Sequence, residues 1–157
     1  SEGMNIEDLS KWVAENHLKV CHYFTVDDLN HLKRGGRMTA MTAFIATALD
    51  IKPILHVNDE GKLIPLDKVR GRKKSLTELF NVIHNLVKDK EAFEVIVLSG
   101  NAPEESTEIA EKFKAMPNCK YVLETSVSPV IGVHTGPGLL ALSVKCDSGM
   151  DNIKEDK

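Results

Sequence analysis

At residues 128–138 the chain reads Ser128-Pro129-Val130-Ile131-Gly132-Val133-His134-Thr135-Gly136-Pro137-Gly138, and an apolar run follows at once. In this stretch one imidazole and one threonine hydroxyl stand among three glycines and two prolines. Glycine permits positive φ and close backbone approach, whereas proline fixes φ in advance. The pattern predicts a tight loop that holds His134 at a shaped, partly dry position ahead of a strand. From the spacing alone, a histidine satisfied within the protein is an equally good interpretation.

Strand and helix patterns alternate along the rest of the chain. The predicted strands are residues 21–26, 53–57, 62–66, 93–98, 121–123 and 139–145. The predicted helices are residues 5–16, 29–34, 38–49, 76–87 and 103–113. The fourth and fifth strands, with the helix between them, form a unit long enough for a parallel crossover. We therefore expect an α/β fold with a mixed β-sheet of about six strands flanked by helices.

Composition excludes several classes of protein. The 157 residues suffice for one domain, and 42% hydrophobic and 27% charged residues are ordinary for a soluble one. A net charge of −3 and only 5% aromatic residues argue against extensive nucleic-acid binding. No apolar run approaches the roughly 18 residues of a membrane helix, and no signal-peptide pattern is present. Three widely spaced cysteines without a CxxC pair predict reduced core thiols of a cytoplasmic protein.

Motifs for catalysis or for cofactor binding are missing from the sequence. It contains no GxGxxG, no GxxxxGK[ST], no HExxH, no paired-cysteine zinc pattern and no GxSxG. The histidines other than His134 lack ligand-like spacing and are expected to be structural or exposed. A small-molecule enzyme with His134 as general base is a weaker option, because no partner nucleophile or acid can be assigned. We expect no metal, no cofactor and no catalysis by this chain alone.

Two basic runs offer binding sites for anions. Arg37 ends the run Lys33–Arg37 and could hold a carboxylate or phosphate through paired donors, or simply complement a helix end. The run Arg70–Lys74 is the densest in the chain and could dock an acidic partner or a phosphate-bearing ligand. An interaction or nucleic-acid-binding module centred on residues 70–74 is therefore the alternative function, and a solvated surface turn is the simplest interpretation.

Three blocks of sequence, taken in order, resemble one known family. They lie at residues 24–37, 51–74 and 128–138, and they include Leu32-Lys33-Arg34-Gly35-Gly36-Arg37 and His134-Thr135-Gly136-Pro137-Gly138. Together they resemble the DegV family of bacterial fatty-acid-binding proteins. Members have two α/β domains with a fatty acid held between them, and residues 1–146 resemble the C-terminal one. The resemblance implies that helix 5–16 links to a missing N-terminal domain and that residues 147–157 are a polar tail.

The resemblance also implies roles for particular residues. His134 and Arg37 are expected at the carboxylate end of the ligand, with Thr135 as a neighbour. A separate ATP-dependent fatty acid kinase subunit is the implied partner, to which a non-catalytic carrier presents the bound acid. The residues expected to face that partner are Arg70, Arg72, Lys73 and Lys74.

The predicted helix 38–49 has no clear polar face, so it is either buried in a core or borders a cavity. In the second case its apolar residues line the acyl chain, and the candidates are Met38, Met41, Phe44 and Ile45. Each buried CH₂ is worth about 0.8 kcal/mol, so the tail sets most of the affinity and the head contacts set orientation. Without its other half, the exposed pocket face is expected to drive self-association.

Overall fold

A computed structural model describes residues 3–37 and 50–149, so the predicted helix 38–49 and the end of the predicted tail lie outside it. The described strands are β1 Val20–Thr25, β2 Ile51–Val57, β3 Leu63–Arg70, β4 Phe93–Gly100, β5 Cys119–Ser126 and β6 Leu139–Lys145. The described helices are α1 Ile6–Asn16, α2 Leu29–Arg34, α3 Arg72–Val87, α4 Pro103–Lys114 and α5 Pro129–Thr135. The strands form one six-stranded sheet in the order β3-β2-β1-β6-β4-β5. The predicted α/β fold with a mixed sheet is confirmed.

The sheet joins an antiparallel part to one parallel pair. β4 and β5 pair in parallel with α4 as their crossover, whereas β6 runs antiparallel to both β4 and β1. β1 also pairs antiparallel with β2, and β2 forms a hairpin with β3. The last strand of the chain therefore lies in the middle of the sheet, which brings the segment before it, residues 128–138, to one end of the sheet.

One face of the sheet is covered by α3 and α4. Leu79, Ile83 and Val87 recur at intervals of four and are fully buried, so α3 presents one apolar stripe to the sheet. In α4, Ile109 and Phe113 do the same. The strand residues of this core are Cys21, Tyr23, Ile54, Phe93, Val95, Val97, Leu140, Leu142 and Val144. Each large side chain buried here stabilises the fold by about 1.5–3 kcal/mol.

The opposite face carries a smaller core. Successive strand residues point to opposite sides, so Phe24 and Leu55 face away from α3. Leu32 of α2 packs with them, together with Leu139 of β6. Toward the β5 edge this face stays open, and Tyr121 is 56% exposed. The two faces therefore differ in how completely they are covered.

Residues 129–135 form a short helix, although the sequence predicted a loop. Pro129 stands in the first turn, where proline is tolerated, and Ser128 has the extended conformation of a helix cap. Gly132 donates to the carbonyl of Ser128 at 2.9 Å, and the helix ends at Gly136, whose φ is +73°. The sequence did not predict this helix because glycine and proline normally interrupt helices, and the segment contains Gly132, Pro129 and Pro137.

The cysteines differ from the prediction of three reduced thiols. Cys21 and Cys146 are paired as a disulfide, with Cα atoms 6.2 Å apart, and Cys119 is free. The pairing follows from sheet register, since β1 and β6 are neighbours and the Cys146 N–H donates to the carbonyl of Lys19 at 2.7 Å. A separation of 125 residues along the chain gave no sign of this proximity.

Helix α1 stands away from both cores. Asn5 caps it by accepting from the N–H of Asp8, as the sequence predicted, yet none of its residues is buried. Its apolar side chains, Ile6, Leu9, Trp12 and Val13, are exposed. None of the helices that the structure describes has the length and apolar character needed to cross a bilayer.

Candidate functional site

The candidate site lies where the ends of α2 and α5 meet. The two helices contain six and seven residues, lengths at which a helix is not stable alone. Asp28 caps α2 by accepting from the N–H of Asn30 at 2.9 Å. Each helix ends on a glycine, Gly35 in α2 and Gly136 in α5. Packing between the two helices therefore fixes this junction.

His134 of α5 packs against Gly35 of α2. A β-carbon at position 35 would collide with Nδ1 of the His134 ring, so only glycine leaves room for the imidazole. The φ of Gly35 is −76°, which any residue can adopt. Glycine is therefore required here for close approach and not for backbone conformation.

The surroundings of His134 determine which ring nitrogen is available. Nδ1 is buried and has no hydrogen-bond partner in residues 3–37 and 50–149. A neutral imidazole carries its proton on one ring nitrogen, and the tautomer with the proton on Nε2 leaves no buried N–H without an acceptor. His134 can then donate from Nε2 to an acceptor such as a carboxylate oxygen.

Arg37 lies on the same glycine. Its Nη1 donates to the carbonyl of Gly35 at 3.2 Å, and its backbone N–H donates to the carbonyl of Leu32 at 2.9 Å. The side chain is exposed and has no carboxylate partner in the part of the chain that the structure describes. The structure thus brings His134 and Arg37, predicted from blocks about a hundred residues apart, together around Gly35.

Thr135, the third residue predicted at the carboxylate, is placed differently from His134 and Arg37. It is buried, and its hydroxyl donates to the carbonyl of Ile131 at 3.0 Å within α5. A carboxylate accepts hydrogen bonds only, so Thr135 can donate to one only by giving up this bond.

Lys52, which pattern analysis did not single out, holds the loops below the junction. Its Nζ lies 2.7 Å from Oδ1 of Asp27 and 3.3 Å from Oδ1 of Asp50, and it also donates to the Asp27 carbonyl at 2.6 Å. Burial lowers the pKa of Lys52, but the hydrogen bonds and charges of the two aspartates outweigh it and raise the pKa overall. Asp27 in turn packs against Gly138, just after α5. This buried lysine fixes the turn before α2 relative to the turn after α5.

The basic run divides into one partly buried, ion-paired cation and three exposed ones. Arg72 forms an ion pair with Glu105, its Nε donating to the carboxylate at 3.0 and 3.1 Å, and so links the first turns of α3 and α4. Its side chain is only 19% exposed. Three cations are exposed: Arg70 at the end of β3, and Lys73 and Lys74 in the first turn of α3. Arg72 is thus a structural residue in this chain, and three cations of the run remain for a partner.

The residues predicted to line the acyl chain are not in the described part of the chain. Met38, Met41, Phe44 and Ile45 lie outside the described residues. Within the described ranges, no group of three histidine, cysteine, aspartate or glutamate side chains is arranged to hold a metal ion.

The outer side of α5 is apolar and exposed, with Val130 at 74% and Val133 at 71%.

A family model and a curated relative both cover most of this chain. Residues 1–146 match a family model described as an uncharacterised protein of the DegV family. A DegV domain-containing protein of Clostridium perfringens is 40% identical over 141 residues, which cover 90% of this chain and 48% of that protein. The chain belongs to the DegV family. The resemblance drawn from the three sequence blocks is confirmed.

Solved structures of DegV proteins have the same fold. Bacillus subtilis DegV, named a fatty acid binding protein, is 32% identical with a TM-score of 0.74, over 93% of this chain and 51% of that one. A Streptococcus agalactiae protein, named a fatty acid binding DegV family protein, is 27% identical with a TM-score of 0.73, over 94% and 52%. Neither name is that of an enzyme. The chain spans about half the length of the curated relatives it matches.

Proposed function

We propose that this DegV domain binds a long-chain fatty acid, with the carboxylate at the junction of α2 and α5. The observation that carries the proposal is the pair of donors at Gly35: the imidazole of His134 packs on it, and Arg37 donates to its carbonyl. His134 Nε2 and the Arg37 guanidinium bind the two carboxylate oxygens. The names of the two structural relatives support the ligand class.

The acyl tail supplies most of the affinity. At about 0.8 kcal/mol for each buried CH₂, a chain of sixteen carbons gains roughly 10 kcal/mol before ordering costs. A hydrogen bond to a charged group adds about 1.5–3 kcal/mol. The head contacts therefore orient the acid, and the wall of the tail includes Met38, Met41, Phe44 and Ile45.

The acid is held between this domain and a second, N-terminal one. Support comes from the relatives, of whose length the chain covers about half, and from two exposed apolar surfaces, the outer side of α5 and the apolar side of α1. Helix 5–16 links the two domains, and residues 147–157 form a polar tail. Alone, these 157 residues associate into dimers or larger species, because exposed apolar patches of this kind promote association.

The protein acts as a cytoplasmic acyl carrier and not as an enzyme. A separate ATP-dependent fatty acid kinase subunit transfers the γ-phosphoryl group of ATP to one carboxylate oxygen, which yields an acyl phosphate and ADP. The exposed cations Arg70, Lys73 and Lys74 face that subunit. Arg72 supports them indirectly, because its ion pair with Glu105 fixes the first turn of α3.

The ligand is identified by mass spectrometry of the full-length protein that contains this domain. After denaturation, the purified protein should release about one equivalent of long-chain fatty acid. Protein that neither carries a fatty acid nor takes up added palmitate would contradict the proposal.

The head contacts are tested with single variants of the same protein. His134→Ala and Arg37→Ala should each weaken palmitate binding at least about tenfold, the equivalent of one charged hydrogen bond. His134→Ala should reduce acyl phosphate formation by the kinase further still. His84→Ala is the matched control, because His84 stacks on Phe80 under the other face of the sheet. Equal effects of the three substitutions would remove the α2–α5 junction from the site.

A further inference from the structure

We propose that His31 is a positioning residue for His134, holding its ring in the orientation that presents Nε2 to the ligand. The two histidines form a reciprocal contact. His134 packs on Gly35, which ends α2, and the ring of His31 packs on Gly136, which ends α5. A β-carbon on either glycine would collide with the facing ring. Each short helix is therefore locked by a ring from the other.

Two charged side chains lie beside the His31 ring. Nη2 of Arg34 lies 3.1 Å from Nδ1 of His31 and 3.4 Å from its Nε2. A guanidinium can only donate, so the His31 ring accepts from it, with Nδ1 as the nearer nitrogen. Nε2 of His31 lies 4.0 Å from Oδ2 of Asp28, the residue that caps α2. The ring is held by its own helix before it meets Gly136.

The position of Gly136 explains how His31 acts on His134. Gly136 follows His134 by two residues and closes α5 through its N–H bond to the carbonyl of Gly132 at 2.8 Å. Its φ of +73° is reached without strain only by glycine, so the turn cannot be secured by a side chain of its own. The His31 ring fills that place. Without it, the last turn of α5 is free to move, and the His134 ring is no longer pressed against Gly35.

The inference uses the proposed function only to give His134 its role, and it is tested without ligand. In ¹H–¹⁵N spectra of the 157-residue chain, His134 should show one dominant neutral tautomer with the proton on Nε2. His31→Ala should move the Nδ1 signal of His134 toward the average of exchanging tautomers. It should also weaken the nuclear Overhauser contact between the His134 ring and Gly35. His31→Phe, which keeps a ring over Gly136, should restore both signals. His84→Ala should leave them unchanged.

Two further measurements separate the possible failures. Arg34→Gln changes an exposed residue and keeps the fold, so it replaces His31→Ala in the experiment if that variant does not fold. We expect it to shift the His134 signals in the same direction by a smaller amount. Unchanged signals in the folded variants would overturn the positioning role. In the full-length protein, His31→Ala should weaken palmitate binding about as much as His134→Ala. If the ring signals move as described and palmitate binding depends on neither histidine, the positioning role stands and the proposed function fails.

Discussion

The face of the sheet under α3 and α4 and the face that carries α2 and α5 are built from different contacts. On the first, side chains such as Leu79, Ile83 and Phe113 interdigitate with the strands and are fully buried. On the second, Leu32 anchors a small cluster, and the rest of the contact consists of rings on glycines and the ion pairs of Lys52. Stability is concentrated on the first face, and the groups suited to bind a ligand lie on the second. Groups that meet through few contacts can adjust when a ligand arrives.

The largest expected effect comes from emptying the first core. Phe113 is fully buried and packs on Phe80 and Phe93 with ring centroids 4.7 and 6.2 Å away. Phe113→Ala should lower the free energy of unfolding by about 3–5 kcal/mol in urea titrations. Val133→Ala, on the exposed side of α5, should change it by less than about 0.5 kcal/mol. Comparable losses for the two variants would erase the contrast between the faces.

The next effect is that of the lysine under the junction. Lys52→Met removes a buried cation from two carboxylates that stay half-exposed, so the expected loss is about 2 kcal/mol. Lys62→Met is the matched control, because its pair with Glu60 is exposed to solvent and its loss should leave the stability nearly unchanged. Chemical denaturation measures both.

The Lys52 pair also has a pH dependence of known sign. Since the pKa of Lys52 is raised in the folded state, its contribution is complete below the unfolded lysine pKa of about 10.4 and declines as the pH rises through the folded value. The difference in unfolding free energy between the wild type and Lys52→Met should therefore narrow as the pH rises above about 10.4. A difference that widens with pH would show that the cation does not stabilise this part of the fold.

Two neighbouring glycines on the second face, Gly35 and Gly36, allow the effect of ring packing to be separated from the effect of backbone conformation. Gly35 has an ordinary φ, and an added β-carbon would collide with the His134 ring and lie 3.3 Å from the His31 carbonyl oxygen. Gly36 has a φ of +68°, and no atom of the described residues lies within 4 Å of an added β-carbon there. Gly36→Ala should cost about 1–2 kcal/mol of stability with little change in palmitate affinity. Gly35→Ala should weaken palmitate binding by about tenfold, since it displaces His134. If Gly36→Ala weakens binding as much as Gly35→Ala, ring packing does not determine the site.

The smallest effect concerns a histidine on the open part of the second face. Nδ1 of His22 lies 2.8 Å from the hydroxyl oxygen of Ser143, and desolvation lowers the pKa of His22 below its ordinary value of 6.5. As the pH falls, the unfolded chain therefore binds a proton at His22 before the folded protein does. The contribution of neutral His22 to stability is complete above pH 6.5 and declines as the pH falls below it. His22→Gln should flatten the pH dependence of unfolding between about pH 5 and 7. The same slope in wild type and variant would contradict this.

The sequence predicted the first face well. The apolar periods of α3 and α4 are long and regular, and the crossover from β4 to β5 followed from element lengths. Such repeats depend only on local spacing, which one sequence contains in full. The start of α3 was placed at residue 76 instead of Arg72, because a basic run gives no apolar signal.

The second face was predicted only in part. His134 and Arg37 emerged through a family resemblance, and the structure places both at Gly35. His31 and Lys52 were missed as site residues, because each has a decisive contact with a distant segment: His31 with Gly136, which carries no side-chain signal, and Lys52 with Asp27. The spacing of His31 four residues before Gly35, on the same side of α2, was the available clue. Ring-on-glycine contacts are defined by tertiary geometry, and no pattern within one segment encodes them.

The most direct test of the central claim is the carboxylate itself. Palmitate labelled with ¹³C at the carboxyl carbon is bound to the full-length protein, and its resonance is recorded in the wild type and in His134→Ala. A carboxylate held by His134 Nε2 and Arg37 should give one shifted signal in the wild type, with a nuclear Overhauser contact from the His134 Nε2–H to the first methylene of the chain. That signal should move toward its solution value in His134→Ala. Bound palmitate whose carboxyl resonance is identical in the two proteins would place the head group elsewhere and contradict the account.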